Sequence, residues 1–492
     1  MAPSDTDARR LRILVCGGGI AGLAVAFWLA RGGHDVTVVE RFAALRASGA
    51  QVDLRGQGIA AVARMGLLES VRSRLVHEPG VAFVDRRGRT WGKVMANTSG
   101  KGRQTLTSEY EIMRADLVRI LHDAVRDDVR FVFGTTVERF AQDDRGVLAR
   151  FSDGTADTFD VLIGADGQGS RIRRDILPAG APDPYHPVGI HMAYWFIPRD
   201  ASDGDLRQTY SAPGGRQIMR RSHSATESQV YLALWERSEE ASAIHRQDVQ
   251  AQKRFWAERY RDAGWQVRRF LDGLETTEFF YSQEVVQVRT GTWSSGRVAL
   301  VGDAAYCPSP YSGMGTSAAL VGAYVLAGEI GRHAADLPAA FAAYHRTLQP
   351  FIDHCQAEVN PTLLRIGFPR TRLGTYALLM RSWPWARCSP SPGPLTSPPA
   401  SRRKTAAATG SCPTARSSMP GGDAGRRRRS AARCLGQRLQ EAAPPPVHVL
   451  LADARQQLLV ALLALLARHL QGPLDRLGRA VGVVGVDQQR FL

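Results

Sequence analysis

The stretch Gly302-Asp303-Ala304-Ala305-Tyr306-Cys307-Pro308-Ser309-Pro310-Tyr311-Ser312-Gly313-Met314-Gly315 decides how the rest of the chain is to be read. Residues 297–301 before it (RVALV) have the makeup of a short, fully buried strand, and residues 316–330 after it are an Ala-, Leu- and Val-rich helix. The order strand, polar elbow, Pro/Gly loop, helix sets Asp303 at the carboxyl end of a strand, where an open α/β sheet binds its ligands. A carboxylate there accepts hydrogen bonds from a polyol. The helix after Gly315 aims free N–H groups and a positive dipole end at an anion or a developing negative charge. A flavin meets both requirements, with a ribityl chain for Asp303 and a ring that becomes negative on reduction. Taken alone, the segment is equally a structural turn with a solvent-facing Asp, because Gly-rich strand-to-helix turns are common in α/β folds.

Two further motifs tip the balance. Residues 12–16 (RILVC) lead as a buried strand into Gly17-Gly18-Gly19-Ile20-Ala21-Gly22 and an apolar helix to Arg31. Gly32-Gly33 stop that helix, and residues 35–39 (DVTVV) form a second strand ending in Glu40. This is GxGxxG in its required strand–turn–helix setting with an acid about twenty residues on. Gly17 permits the tight turn, Gly19 lets the backbone approach a pyrophosphate, and Gly22 lets helix and strand pack closely. Glu40 accepts from a ribose 2′-hydroxyl and disfavours a 2′-phosphate, so the nucleotide is an adenosine with a free ribose. The third motif follows a strand at residues 159–163: Gly164-Ala165-Asp166-Gly167-Gln168-Gly169-Ser170, with Arg171, Arg173 and Arg174 behind it.

Between the motifs, residues 46–55 (RASGAQVDLR) form a loop and about 58–75 a helix. Residues 110–113 form a strand, and 115–125 a helix with Leu117, Ile120, Leu121 and Ala124 on one face. Arg114 and Arg119 flank its first turns, within reach of a phosphate or flavin, or else as plain solvated helix arginines. Residues 188–198, 217–221 and 229–235 make strands of a separate sheet. Tyr194, Trp195, Phe196, Met219, Tyr231, Leu232 and Trp235 either line an aromatic pocket there or are simply core.

The motifs GGGIAG, DVLIGADGQGSRIR and RVALVGDAAYCPSPYSGMG, in this order and at these separations, resemble the single-component FAD-dependent aromatic hydroxylases, the group A flavoprotein monooxygenases. The segments ASGAQVDLRGQGIAAVARMGLL and IMRADLVRIL look most like the branch of tetracycline-inactivating monooxygenases and polyketide-tailoring hydroxylases. The resemblance spans about residues 11–379. It implies an α/β fold, with a Rossmann-like FAD-binding domain (10–180 and 285–383) and an inserted, mostly antiparallel substrate domain (181–284) to which strands within 80–110 add. It further implies that Gly17, Gly19, Gly22 and Glu40 hold the ADP part of FAD, with Arg41, Arg46, Arg114 and Arg119 near its phosphates or the flavin. Asp303 would hold the ribityl chain, Pro310, Gly313 and Gly315 would line the ring, and Asp166 and Gly167 belong to a motif associated with both FAD and NAD(P)H. Tyr194, Phe196, Met219 and Tyr231 are the substrate-pocket candidates. Tyr306 departs from the His often found at its position, a change that can alter flavin packing but on which the motif does not depend. The implied reaction consumes NAD(P)H and dioxygen and hydroxylates an aromatic or polycyclic molecule through a flavin hydroperoxide. With only one nucleotide fingerprint in the chain, the nicotinamide binds transiently, Asp166, Arg171 and Arg173 being candidate contacts. Alternatives are a reductase or halogenase of the same fold. Residues 194–198 (YWFIP) partly echo a halogenase motif, but Ala193 stands where its first Trp is needed.

The net charge of +16 raises a third class, a nucleic-acid binder. Between Pro390 and Pro446 ten basic side chains face two acids, which accounts for half of that excess in a stretch with almost no core-forming residues. The basic balance is thus largely a property of residues 384–492, expected to be a low-complexity, disordered tail or a segment read out of frame, and no nucleic acid is expected on the folded part. The six cysteines are scattered without metal-ligand spacing, so no metal is expected and a reduced, cytoplasmic setting fits. The longest uncharged apolar run, residues 458–467, is too short to span a bilayer, and no secretory signal opens the chain. A monomer or homodimer is expected.

Overall fold

A computed structural model of the chain describes residues 10–45, 49–98 and 106–378. Its first sheet runs β17(Ser294–Ser295)–β18(Val298–Leu300)–β11(Val161–Gly164)–β1(Arg12–Cys16)–β2(Asp35–Glu40)–β7(Arg130–Phe133), parallel except for β17. The central strands are continuous runs of Val, Ile and Leu because both their faces are buried. Ile13, Leu14, Val15, Leu162, Ile163 and Ala299 are fully buried. Helices Ile20–Arg31 and Gly315–Arg332 pack together over this sheet, with Trp28 edge-on to Tyr324 at 5.0 Å.

Register matters most for function. Cys16 lies opposite Gly164 on one side and Val39 on the other, and Gly164 opposite Leu300. The carboxyl ends of β18, β11, β1 and β2 are therefore level, and the Asp303, Asp166, Gly17 and Glu40 corners follow one another along a single edge.

The second sheet has the order β16(Phe280–Val288)–β12(Tyr185–Pro198)–β15(Glu227–Trp235)–β14(Arg216–Ser222)–β13(Arg207–Ala212)–β4(Gly80–Val84)–β5(Thr90–Met95), antiparallel except between β13 and β4. One face is sealed by helices Val249–Tyr260 and Val267–Thr276, which the sequence analysis did not place. Trp195, Trp256, Tyr260 and Phe270 are fully buried between them, and Trp195 Nε1 donates to Phe270 O at 3.2 Å. A three-stranded sheet, β8(Val137–Gln142), β9(Val147–Phe151) and β10(Ala156–Phe159), and a ribbon of β3(Gln51–Asp53) with β6(Glu111–Met113) complete the strands.

Two expected elements are broken. The helix expected over 58–75 is two, Gln57–Arg64 and Leu68–Arg72, interrupted at Gly66 with φ +77°. The strand expected over 159–163 divides at Asp160, whose carboxylate accepts from Arg12 N at 2.8 Å, so that β10 and β11 join different sheets. Among the described residues no helix is long and apolar enough to cross a membrane. The tail 384–492 lies outside the described residues.

Candidate active site

At the first corner Gly17 has φ +114° and donates to Val39 O at 2.8 Å. A Cβ there would stand 2.5 Å from Ala165 O, and one at Gly22 only 1.9 Å from Gly17 O. Both positions thus require glycine for the turn to exist. Gly19 differs. Its φ of −83° suits any residue, and the one atom near a Cβ would be Arg114 Nη2, at 3.6 Å. Gly19 keeps a space open at the amino end of helix Ile20–Arg31, which has no capping side chain, and the Arg114 guanidinium borders that space. Buried Glu40 accepts from Gly18 N at 2.7 Å and from Phe42 N at 3.1 Å, tying the glycine turn to the end of β2 while its oxygens keep further lone pairs.

At the third corner Gly302 turns with φ +68° and Asp303 opens a single helical turn. The Asp303 side chain is accessible, yet so much protein surrounds it that desolvation pushes its carboxyl up, against the opposing pull of the Cys307 thiol and the Arg114 cation. Accessible surface and dense surroundings together mean that Asp303 lines a recess. Gly19, Arg114 and Asp303, distant in sequence, border the same region.

The Pro/Gly loop after Asp303 is fixed by its own polar atoms. Ser309, at φ +80°, accepts from Tyr311 N at 3.2 Å, and Gly313 is left-handed with φ +63°. Ser317 Oγ accepts from Arg55 N at 2.9 Å and donates to Arg55 O at 3.1 Å, stitching the β3 loop to helix Gly315–Arg332. That helix runs 18 residues with no capping side chain, so its first amides face the loop. Pro310 is exposed and Gly313 and Gly315 are half-buried beside it.

Tyr306 does not pack on this surface. It is fully buried with Trp293, its hydroxyl 3.1 Å from that of Tyr344, which donates to Leu300 O at 3.0 Å. Gly322 makes the room, since a Cβ there would be 1.8 Å from the Tyr306 hydroxyl. Exchange of His for Tyr is thus absorbed by the core. Cys307 is buried, and desolvation with Asp303 nearby pushes its thiol up, which leaves it unreactive.

At the second corner Asp166 Oδ2 accepts from Arg171 N at 2.8 Å, while Oδ1 is buried with no hydrogen-bond partner among the described residues. Gly167 turns with φ +81°. Arg171 is exposed. Arg173, expected at a nicotinamide, is fully buried: it donates to Gln168 O, Ala304 O and the Tyr185 hydroxyl at 2.6, 2.8 and 2.7 Å, tying the second corner to the third. Arg119 stays apart, half-exposed and paired with Asp116 at 3.1 Å. Arg41 is exposed over the Phe42 ring, and Arg46 lies outside the described residues.

Strand alternation sorts the aromatic candidates of the second sheet. Tyr281, Tyr194, Tyr231 and Met219 sit opposite one another in one row, continued by Thr209 and Phe83. Tyr194 stacks on Tyr231 at 5.4 Å and meets Tyr281 at 5.3 Å, and Phe196, on the same face, meets Phe279 at 5.3 Å. Trp195 and Leu232 face the helices instead, and Trp235 packs on Phe368. Sequence reasoning missed Tyr281, Phe279 and the charged residues flanking this row. Alternation in residues 280–288 would have found the first of these.

The corners fit a dinucleotide cofactor: a glycine with clear space at a helix amino end, a recessed carboxylate and an orphaned buried acceptor on one sheet edge. The comparisons agree. The model of the FAD binding domain matches residues 10–351. An FAD-dependent monooxygenase of Sarocladium schorii, asL4, is 38% identical over 390 residues, covering 75% of this chain and 91% of the relative. The flavin-dependent monooxygenase eupH of a Phoma species is 39% identical over 388 residues, covering 74% and 89%. Among solved structures, the tetracycline destructase Tet(51) superposes with a TM-score of 0.64 at 30% identity, covering 76% of this chain and 97% of that one. The chain belongs to the FAD-binding-domain family and is an FAD-dependent monooxygenase.

Proposed function

We propose that this enzyme uses NAD(P)H and dioxygen to hydroxylate an aromatic or polycyclic small molecule held against the tyrosine row of the second sheet. The observation that supports this best is the level edge of the first sheet, where Gly19, Arg114, Asp303 and the amino end of helix Gly315–Arg332 stand together. In this reading residues 10–180 and 285–383 bind FAD, and 181–284 with the strands in 80–110 cover the substrate.

Gly17, Gly19 and Gly22 shape the pyrophosphate turn, and the amides at Gly19 with the Arg114 cation neutralise the phosphates. Glu40 accepts from the adenosine ribose and Asp303 from the ribityl chain; Arg41 stands near the phosphates. Asp166 Oδ1 accepts a further cofactor hydroxyl beside Gly167. Pro310, Gly313 and Gly315 line the ring, and the helix dipole behind Gly315 holds negative charge at its edge. When bound and reduced, FAD supplies the activation of dioxygen. Tyr194, Phe196, Met219 and Tyr231 exclude water and set the angle of the substrate. Tetracyclic substrates come into question through the likeness to a tetracycline destructase. Cys16, Cys307 and Cys355 are free and buried, which suits a reduced, cytoplasmic setting.

Purified protein should be yellow, acid precipitation should release its flavin, and NAD(P)H oxidation should rise when an aromatic or polycyclic compound is added. NAD(P)H oxidation unaffected by any member of a panel that includes tetracyclines and anthracyclines would sink the proposal.

A further inference from the structure

A polar layer lies between the aromatic row and the β3–β6 ribbon. Asp53 sits opposite Glu111 and Gln51 opposite Met113, so all four share one face of the ribbon. That face meets Arg221 and the Tyr231 hydroxyl of the second sheet, and Arg207 lies within electrostatic reach of Glu78, Glu111 and Asp53. Arg221 binds both Glu78, at 2.8 Å, and Glu111, and Arg55 takes Asp53 at 2.6 Å. These pairings leave a defined set of buried atoms without a hydrogen-bond partner among the described residues. Arg207 Nε, Gln51 Nε2 and Thr209 Oγ1 are unused donors; Gln51 Oε1, Glu78 Oε1 and Glu111 Oε2 are unused acceptors.

Gln51 carries the argument. Its side chain is nine-tenths buried, neither end of its carboxamide has a partner, and its backbone adjoins the Tyr231 hydroxyl of the aromatic row. Thr209 stands in that row, two places from Tyr231, and Arg207 is two residues before it on the same face of β13. Buried polar groups are normally satisfied, and a layer with three free donors and three free acceptors in contact with an aromatic surface is the signature of a site that recognises oxygen functions. A purely anionic ligand is disfavoured, because it would meet Glu78 and Glu111. A hydrocarbon edge would leave every one of these groups desolvated and unpaired.

We propose that the polar layer reads the oxygenated edge of the substrate, and that this edge carries a hydroxyl beside a carbonyl. The carbonyl oxygen accepts from Arg207 and Gln51 Nε2. The hydroxyl donates to Gln51 Oε1 or a glutamate oxygen. The assignment rests on the proposed hydroxylation and narrows its substrate from aromatic compounds in general to ortho-hydroxycarbonyl arenes.

The test uses the FAD-loaded enzyme and four naphthalenes on one skeleton: 3-hydroxy-2-naphthamide, 2-naphthamide, 2-naphthol and naphthalene. Binding is read from perturbation of the flavin absorbance, so no turnover is needed. The wild type should bind 3-hydroxy-2-naphthamide at least about tenfold more tightly than either singly substituted compound, since each lost partner strands a buried group. Gln51→Leu and Arg207→Met should each reduce that ratio to below about threefold, leave naphthalene binding unchanged and leave FAD affinity within about twofold. Arg207→Lys should restore part of it. Equal binding of all four compounds by the wild type overturns the assignment while leaving aromatic hydroxylation standing. Variants that keep the full preference overturn it too. Failure of every aromatic compound to perturb the flavin sinks both.

Discussion

Replacing Gly19 and Gly22 separately by alanine separates the cofactor site from the turn that builds it. At Gly22 the new Cβ would stand 1.9 Å from Gly17 O, a backbone atom that cannot rotate away. Overpacking of a side-chain core costs about 1–3 kcal/mol, and a clash with fixed backbone lies at or beyond the top of that range. Gly22→Ala should therefore lower stability by at least about 3 kcal/mol whether or not FAD is present. At Gly19 the backbone is extended, φ −83° and ψ −173°, and the nearest atom to a Cβ is Arg114 Nη2 at 3.6 Å, an ordinary contact. Loss of glycine at this helix start costs the apo-protein well under about 1 kcal/mol. The methyl group fills the space through which a pyrophosphate reaches the helix amides, so one or two charge-assisted hydrogen bonds go, each about 1.5–3 kcal/mol, or roughly ten- to a hundredfold in FAD affinity. Urea denaturation of apo-protein and fluorescence titration with FAD measure the two effects. A Gly19→Ala variant that binds FAD as tightly as the wild type would refute the placement of the pyrophosphate.

Asp303→Asn should weaken FAD binding by roughly ten- to a hundredfold with little change in apo-protein stability, because an accessible carboxylate in a recess is lost without a cavity; titration of the apo-protein checks this. Gly322→Ala should destabilise by about 1–3 kcal/mol through its 1.8 Å approach to the Tyr306 hydroxyl, and Tyr306→Phe in the same chain should recover part of the loss, as thermal melts would show. Glu111 is pushed up from 4.5 to about 7, first by burial and further by Glu78 and Asp53, despite the Arg221 attraction. The folded protein then holds more protons than the unfolded chain between those values, so this carboxyl makes stability fall as pH rises from about 4.5 to 7, by on the order of 3 kcal/mol at most. Glu111→Gln should flatten the pH dependence of the denaturation midpoint in that window, and an unchanged slope would contradict the account.

The three corners were legible in the chain because each couples a run of apolar residues to a local turn: glycines of positive φ at Gly17, Gly167 and Gly302, the last two beside an acid after a strand, Asp166 and Asp303. The same local logic failed where a position answers to distant packing. Nothing near Tyr306 in sequence announces that Gly322 and Tyr344 have made a pocket for it, and nothing near Arg173 that three acceptors from three segments bury it. Arg114 reads from the sequence as one more solvated helix arginine because its relation to Gly19 depends on how β6 delivers it. The polar layer escaped altogether. Its members come from β3, β6, β13, β14 and the segment before β4, and its defining feature, unpaired atoms in a buried setting, exists only in three dimensions.

Incorporation of labelled oxygen tests the central claim most directly. The FAD-loaded enzyme is given NAD(P)H, 3-hydroxy-2-naphthamide or another compound that accelerates NAD(P)H oxidation, and dioxygen carrying the heavy isotope. Mass spectrometry should find a product heavier by one atom of labelled oxygen. An unlabelled hydroxyl, a halogenated product when halide is present, or a reduced double bond without oxygen uptake would each contradict it.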